Sequence, residues 1–179
     1  MGKIEQLTNH LKLKNHFSIY LSIFRIFVVF LIFNKIYHLW RSQSILLSNQ
    51  GFFEHSKSIY TMMGLETSFF LNHSKSFLLV IVFTLILVLF GIGKKITVLF
   101  LFLELAILQT FVNPVLNGGD NLLYFVLFYM IFTNSYDHFV LNEKDKTNNV
   151  FSNLVSNLAV YSILIHLCYI YLISGLHKI

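Results

Sequence analysis

An all-helical bundle that crosses a membrane about five times is the fold this sequence predicts. Three observations predict it. The 179 residues are 56% hydrophobic and only 12% charged, with a mean hydropathy of +0.69, whereas a soluble domain carries about 25% charged residues. Five apolar runs approach or exceed the ~20 residues that cross a bilayer core. The runs lack the alternation of barrel strands, and lipid offers no partner to an unpaired backbone group, so each run must be a helix.

The first run spans 17–40, after a polar segment at 1–16. It has the basic start and apolar stretch of a signal peptide. It also carries Arg25 inside and lacks a small-x-small cleavage site, so a retained anchor is the reading. The next two runs, 76–93 and 96–112, are joined by the short turn around Lys94 and Lys95. The fourth covers 121–140 and the fifth 150–176. Short connections make neighbouring helices antiparallel and pack them as one domain over 17–179. The excursion between the first and second helices is different. Its "GFF" and "SIYTMMGLETSFF" are too apolar for a linker and too interrupted to span, so an amphipathic segment lying in the outer interface is expected.

Basic residues set the orientation. Lys3, Lys12, Lys14, Lys94, Lys95, Lys144 and Lys146 fall on one side, mostly in short segments. The opposite side has Lys35, Arg41, Lys57, Lys75 and Lys178, spread over a far longer loop. The cationic density places the N-terminus in the cytoplasm and the C-terminus outside. Although the net charge is +5, its scatter between apolar runs fits topology signals and argues against a nucleic-acid partner. The single cysteine, Cys168, excludes an intrachain disulfide framework.

Ionisable groups inside apolar helices are costly, at about 2.5–3.5 kcal/mol each on insertion scales. Arg25 and Glu104 lie at similar depth, so an ion pair between them is expected, with Gln109 and His166 extending an intramembrane polar network. A structural pair that fixes helix packing and a substrate or proton pathway both remain open for these groups. Asn153 and Asn157 share a face of the fifth helix. His166 and His177 share a stripe there too, but eleven residues put them ~16 Å apart along the axis, too far to ligate one metal. No other metal-ligand spacing occurs. In the outer turn, Asn117, Gly118, Gly119 and Asp120 form a polar cluster in which the glycines permit a tight turn and Asp120 stands as N-cap of the fourth helix.

The order of segments carries a further signal. "IFRIF" is followed by a long excursion, the hairpin "GIGKKITVLF", then "NGGDNLLYFVLFYMIF" and "YIYLISGLHKI". This series resembles the horizontally transferred transmembrane (HTTM) domain family, which includes the vitamin K-dependent gamma-carboxylases and bacterial sporulation-delaying-toxin maturation membrane proteins. The resemblance covers essentially the whole chain after residue 16 and rests on order and spacing. In the carboxylases a tyrosine-rich run ends in a small residue, Gly, an apolar residue and two lysines, the second being the catalytic base. That pattern falls on "YLISGLHKI" and implies Lys178 as base, with His177 at the first lysine position. The cofactor so implied is a reduced quinone such as vitamin K hydroquinone. Lys178 stands one residue before the end of the sequence, where hydration favours its charged form. "GGDN" at the fourth helix is closer to the bacterial members that are not carboxylases.

The resemblance therefore implies a multi-pass protein of the bacterial cytoplasmic membrane. Its expected role is non-catalytic or accessory, in maturation or export of a secreted peptide, with the bilayer, that peptide or other membrane subunits as partners. A quinol-dependent enzyme using Lys178 is the alternative. A transporter or immunity-type protein using Arg25 and Glu104 is the second.

Overall fold

The computed structural model describes residues 17–47, 72–112, 118–140 and 150–176. Among them are five helices and no strand: α1 (Ser18–Leu46), α2 (Ser74–Phe90), α3 (Lys95–Val112), α4 (Gly118–Met130) and α5 (Val150–Leu176). Ser18–Ser42 and Val150–Leu176 are long and apolar enough to cross a membrane, and Ser74–Phe90 is apolar but shorter. Most of the 41–75 excursion lies outside the described residues.

Each helix packs principally on its neighbours in the chain, in the order α1 to α5. The packing faces follow helical spacing. On α1, Leu21, Arg25, Val28, Ile32, Ile36 and Leu39 recur every three or four residues and all are buried. On α2 the stripe is Leu78, Ile81, Leu85 and Val88, and on α3 it is Val98, Leu101, Leu105 and Leu108. The opposite faces are apolar as well. Tyr20, Phe27 and Phe30 stand exposed on α1, as do Phe83 on α2 and Phe100 on α3.

The α2–α3 hairpin is closed by backbone chemistry. Gly91 sits in the left-handed region at φ +71°, and Ile92 N–H donates to Leu87 O at 2.9 Å while Gly91 N–H donates to Val88 O at 3.2 Å. This double capture is a Schellman stop, which covers the last carbonyls of α2. A Cβ at Gly91 would meet both Val140 methyls at 2.9 Å, so close packing reinforces the choice of glycine.

Helix boundaries depart from the sequence reading in one consequential place. The fourth predicted helix, 121–140, is only 13 residues long and stops at Met130. Residues 131–140 form turns instead. Phe132, Phe139 and Val140 flank the polar run 133–138, and the backbone of this segment is bonded to side chains of α1 and α5 and so leaves the helix. At its other end α4 begins with Gly118, so Asp120 lies inside the first turn and is not the N-cap. Smaller shifts extend α1 from 40 to Leu46 and move α2 from 76–93 to Ser74–Phe90.

α5 is buried only along its first half, through Asn153, Ser156, Asn157, Ala159 and Ile163. It returns beside α1, where Phe17 meets Tyr161 edge-on at 5.9 Å. An apolar groove of about 210 Å³ runs between them, lined by Leu21 and Phe24 on one side and Ile163 and Leu167 on the other.

Candidate functional site

The 131–140 segment is the centre of a polar junction, and Arg25 is its anchor. Arg25 is fully buried. Its Nη1 donates to Ser135 O at 2.8 Å and its Nη2 to Phe139 O at 2.7 Å, with a longer 3.5 Å bond to His138 O. The guanidinium carbon lies 4.8 Å from the centre of the Tyr136 ring. A planar fork of donors suits several carbonyls at once, which an ammonium cannot match. Non-helical backbone inside an apolar bundle survives only where protein groups satisfy it, and Arg25 supplies that satisfaction.

Serines complete the junction. The Ser22 hydroxyl donates to Ser135 O at 3.0 Å, and Ser18 Oγ and His138 Nε2 share a 2.9 Å hydrogen bond. From the α5 side, Asn134 N–H donates to Ser156 Oγ and the Ser152 hydroxyl donates to Asn134 Oδ1, both at 2.9 Å. Phe139 is bent into the left-handed region at φ +55°, which aims its carbonyl at Arg25. Burial pushes the Tyr136 hydroxyl up to about 12, with the Arg25 charge pulling the other way. Beside the junction a cavity of about 370 Å³ opens between the α2–α3 turn and α5, lined by Lys94, Lys95, Asn134, Tyr136, Asp137 and Ser152.

The other sequence-predicted residues are dispersed. Arg25 and Glu104 do not form the expected ion pair. α2 packs between α1 and α3, and Glu104 turns toward α2, where Thr84 Oγ1 lies 2.9 Å from its Oε1. Glu104 Oε2 is enclosed and has no hydrogen-bond partner among the described residues. Gln109 Nε2 instead donates to Asn121 Oδ1 at 2.8 Å, toward the far end of α3. His166 packs against the rings of Phe125 and Tyr129, at 4.6 and 6.2 Å between centroids. The four therefore form no single network.

Asp120 pairs with Lys35 Nζ at 2.7 Å, a cross-bundle tie between α1 and α4. Gly118 and Gly119 belong to the first turn of α4. Asn117, His177 and Lys178 lie outside the described residues.

Sequence reasoning missed Ser18, Ser22, Asn134, Ser135, Ser152 and Ser156. A signal existed in the spacing. Ser18, Ser22 and Arg25 fall at i, i+4 and i+7 on one helical stripe, and Ser152 and Ser156 at i and i+4 on another.

Chemically, the junction holds a cation on three backbone carbonyls, with its Nε left without a partner among the described residues. That arrangement fixes backbone and commits both Nη atoms of Arg25 to it. Among the described residues no three His, Cys, Asp or Glu side chains gather as metal ligands. The class so defined is an all-helical protein with five helices among the described residues, two of them able to cross a membrane, tied at one end by a buried arginine. No protein-family model, curated protein or solved structure matches the chain.

Proposed function

We propose that the chain is a multi-pass protein of the bacterial cytoplasmic membrane, with its N-terminus in the cytoplasm and a non-catalytic or accessory role. One observation carries the membrane part: the outer faces of the helices are apolar, as the core is, while a charged side chain is buried. Arg25 is the largest fully buried side chain, while Phe30, Phe83, Phe100 and Ile165 are 62%, 60%, 55% and 69% exposed. Water would penalise such a surface over most of the bundle, and lipid would not. The accessory role is supported by the commitment of Arg25 to backbone carbonyls, which leaves it a framework residue. A task in maturation or export of a secreted peptide rests on the HTTM-like order of segments alone.

The test replaces Cys168 with Ser and introduces Lys94→Cys or Asn117→Cys in cells. Membrane-impermeant maleimide should reach position 117 from outside and position 94 only after permeabilisation. The protein should also stay with the membrane after an alkaline carbonate wash. Labelling of both positions from one side, or release by carbonate, overturns the proposal.

A further inference from the structure

We propose that Glu104 is held as a neutral carboxylic acid, so that the α2–α3 interface is a proton-binding site. The inference rests on hydrogen-bond arithmetic at Thr84. Thr84 Oγ1 lies 3.1 Å from Val80 O, one turn back on α2, and 2.9 Å from Glu104 Oε1 on α3. A threonine hydroxyl owns one proton. Were Glu104 ionised, its charge and Val80 O, which already holds its α2 backbone bond from Thr84 N–H, would compete for that proton. A protonated Glu104 removes the conflict, because its O–H donates to Thr84 Oγ1 and the threonine proton then goes to Val80 O, the usual back-bond of a helical threonine.

The second carboxyl oxygen leads to the same assignment. Oε2 is enclosed, with no hydrogen-bond partner among the described residues. An ionised carboxylate shares its charge over both oxygens, so an enclosed and unpaired one is very costly. The carbonyl oxygen of an acid carries far less charge and tolerates that site. Among the described residues no compensating cation faces Glu104. Thr84 is its one polar partner among the described residues, Arg25 is engaged by the 131–140 segment, and apolar Leu101, Leu105 and Leu108 form the rest of the buried stripe on α3. The ligand of this site is a proton.

The experiment probes protein in native membranes at neutral pH with two carbodiimides. Dicyclohexylcarbodiimide partitions into apolar regions and needs a protonated acid. The acid proton moves to a carbodiimide nitrogen, the carboxyl oxygen adds to the central carbon, and an acyl shift from oxygen to nitrogen leaves a stable N-acylurea with no atom lost. The water-soluble ethyl(dimethylaminopropyl)carbodiimide serves as the exposed-carboxyl probe. Peptide mass spectrometry should find the dicyclohexyl adduct on Glu104 and no water-soluble adduct there, with Glu104→Gln removing the signal. Infrared spectra of the purified protein should show a carboxylic-acid carbonyl band at the high-frequency, unbonded end of its range, lost in Glu104→Gln.

Labelling of Glu104 by the water-soluble reagent overturns the proposal, as does absence of both the hydrophobic adduct and the infrared band. The inference rests on the membrane reading for its setting, but the two fail separately. Carbonate release with the infrared band intact removes only the lipid, whereas membrane retention without the band removes only the neutral acid.

Discussion

Replacing Arg25 with alanine removes the two short bonds that hold the 131–140 segment. Hydrogen bonds from a charged donor contribute about 1.5–3 kcal/mol each, which sets an upper figure near 3–6 kcal/mol for the pair to Ser135 O and Phe139 O. Two effects reduce it. The Ser22 hydroxyl still covers Ser135 O at 3.0 Å, and deleting a buried charge recovers its desolvation cost. A loss of about 2–4 kcal/mol is expected, a large share of the 5–15 kcal/mol that holds a typical domain together. Arg25→Lys should fall between wild type and alanine, because one ammonium cannot serve both carbonyls. The assay is unfolding in detergent followed by protease sensitivity, with new cleavage appearing first within 131–140. A double-mutant cycle with Glu104→Gln supplies the decisive number. The two sites share no partner, so their effects should add within about 0.5 kcal/mol. Strong coupling between them, or an Arg25→Ala protein as stable as wild type, refutes the reasoning.

Two further outcomes follow from the same geometry. Gly91→Ala should destabilise by about 2 kcal/mol or more, since a left-handed non-glycine residue costs about 1–2 kcal/mol and the new methyl meets Val140 at 2.9 Å; a melting temperature equal to wild type would show that the hairpin relaxes freely. Tyr136 predicts alkaline sensitivity. Its hydroxyl is raised to about 12 in the folded protein against about 10 in an unfolded chain. Above pH 10 the unfolded state therefore binds fewer protons than the native state, and stability falls as pH rises. The two-unit gap corresponds to about 2–3 kcal/mol present below pH 10 and lost progressively toward pH 12, and Tyr136→Phe should flatten that decline in pH-dependent melting curves.

Much of the architecture was legible in residue order. The helices at the first, second, third and fifth runs follow from hydropathy and length, but the Gly91 stop lies inside the predicted 76–93 run and was not anticipated. The end of α4 was legible only in part: the polar run 133–138 interrupts the apolar pattern, while the group that holds the non-helical backbone lies about 110 positions away, at Arg25. The partner of Arg25 was illegible for a related reason. Sequence gives a rough depth along a helix, but it does not give which helix stands between Arg25 and Glu104. α2 does, and Thr84 on it takes the contact. Asp120 and Lys35 were each placed near one end of the bundle from sequence, while their 2.7 Å contact depends on how α1 and α4 sit together. The C-terminal residues His177 and Lys178 remain expectations of the HTTM resemblance.

The distance in sequence between Arg25 and the carbonyls it grips also sets a schedule for biogenesis. A ribosome adding about 5–20 residues per second needs roughly 5–20 s to travel from the arginine to its acceptors. Throughout that interval the nascent first helix holds a guanidinium whose permanent oxygen ligands have not yet been made. An insertion channel that retains the helix until the fourth arrives, or a chaperone that shelters the charge, would spare the cell a stalled or inverted intermediate. Variants that delay the second half of the protein should then accumulate as degraded fragments ending before Ser135.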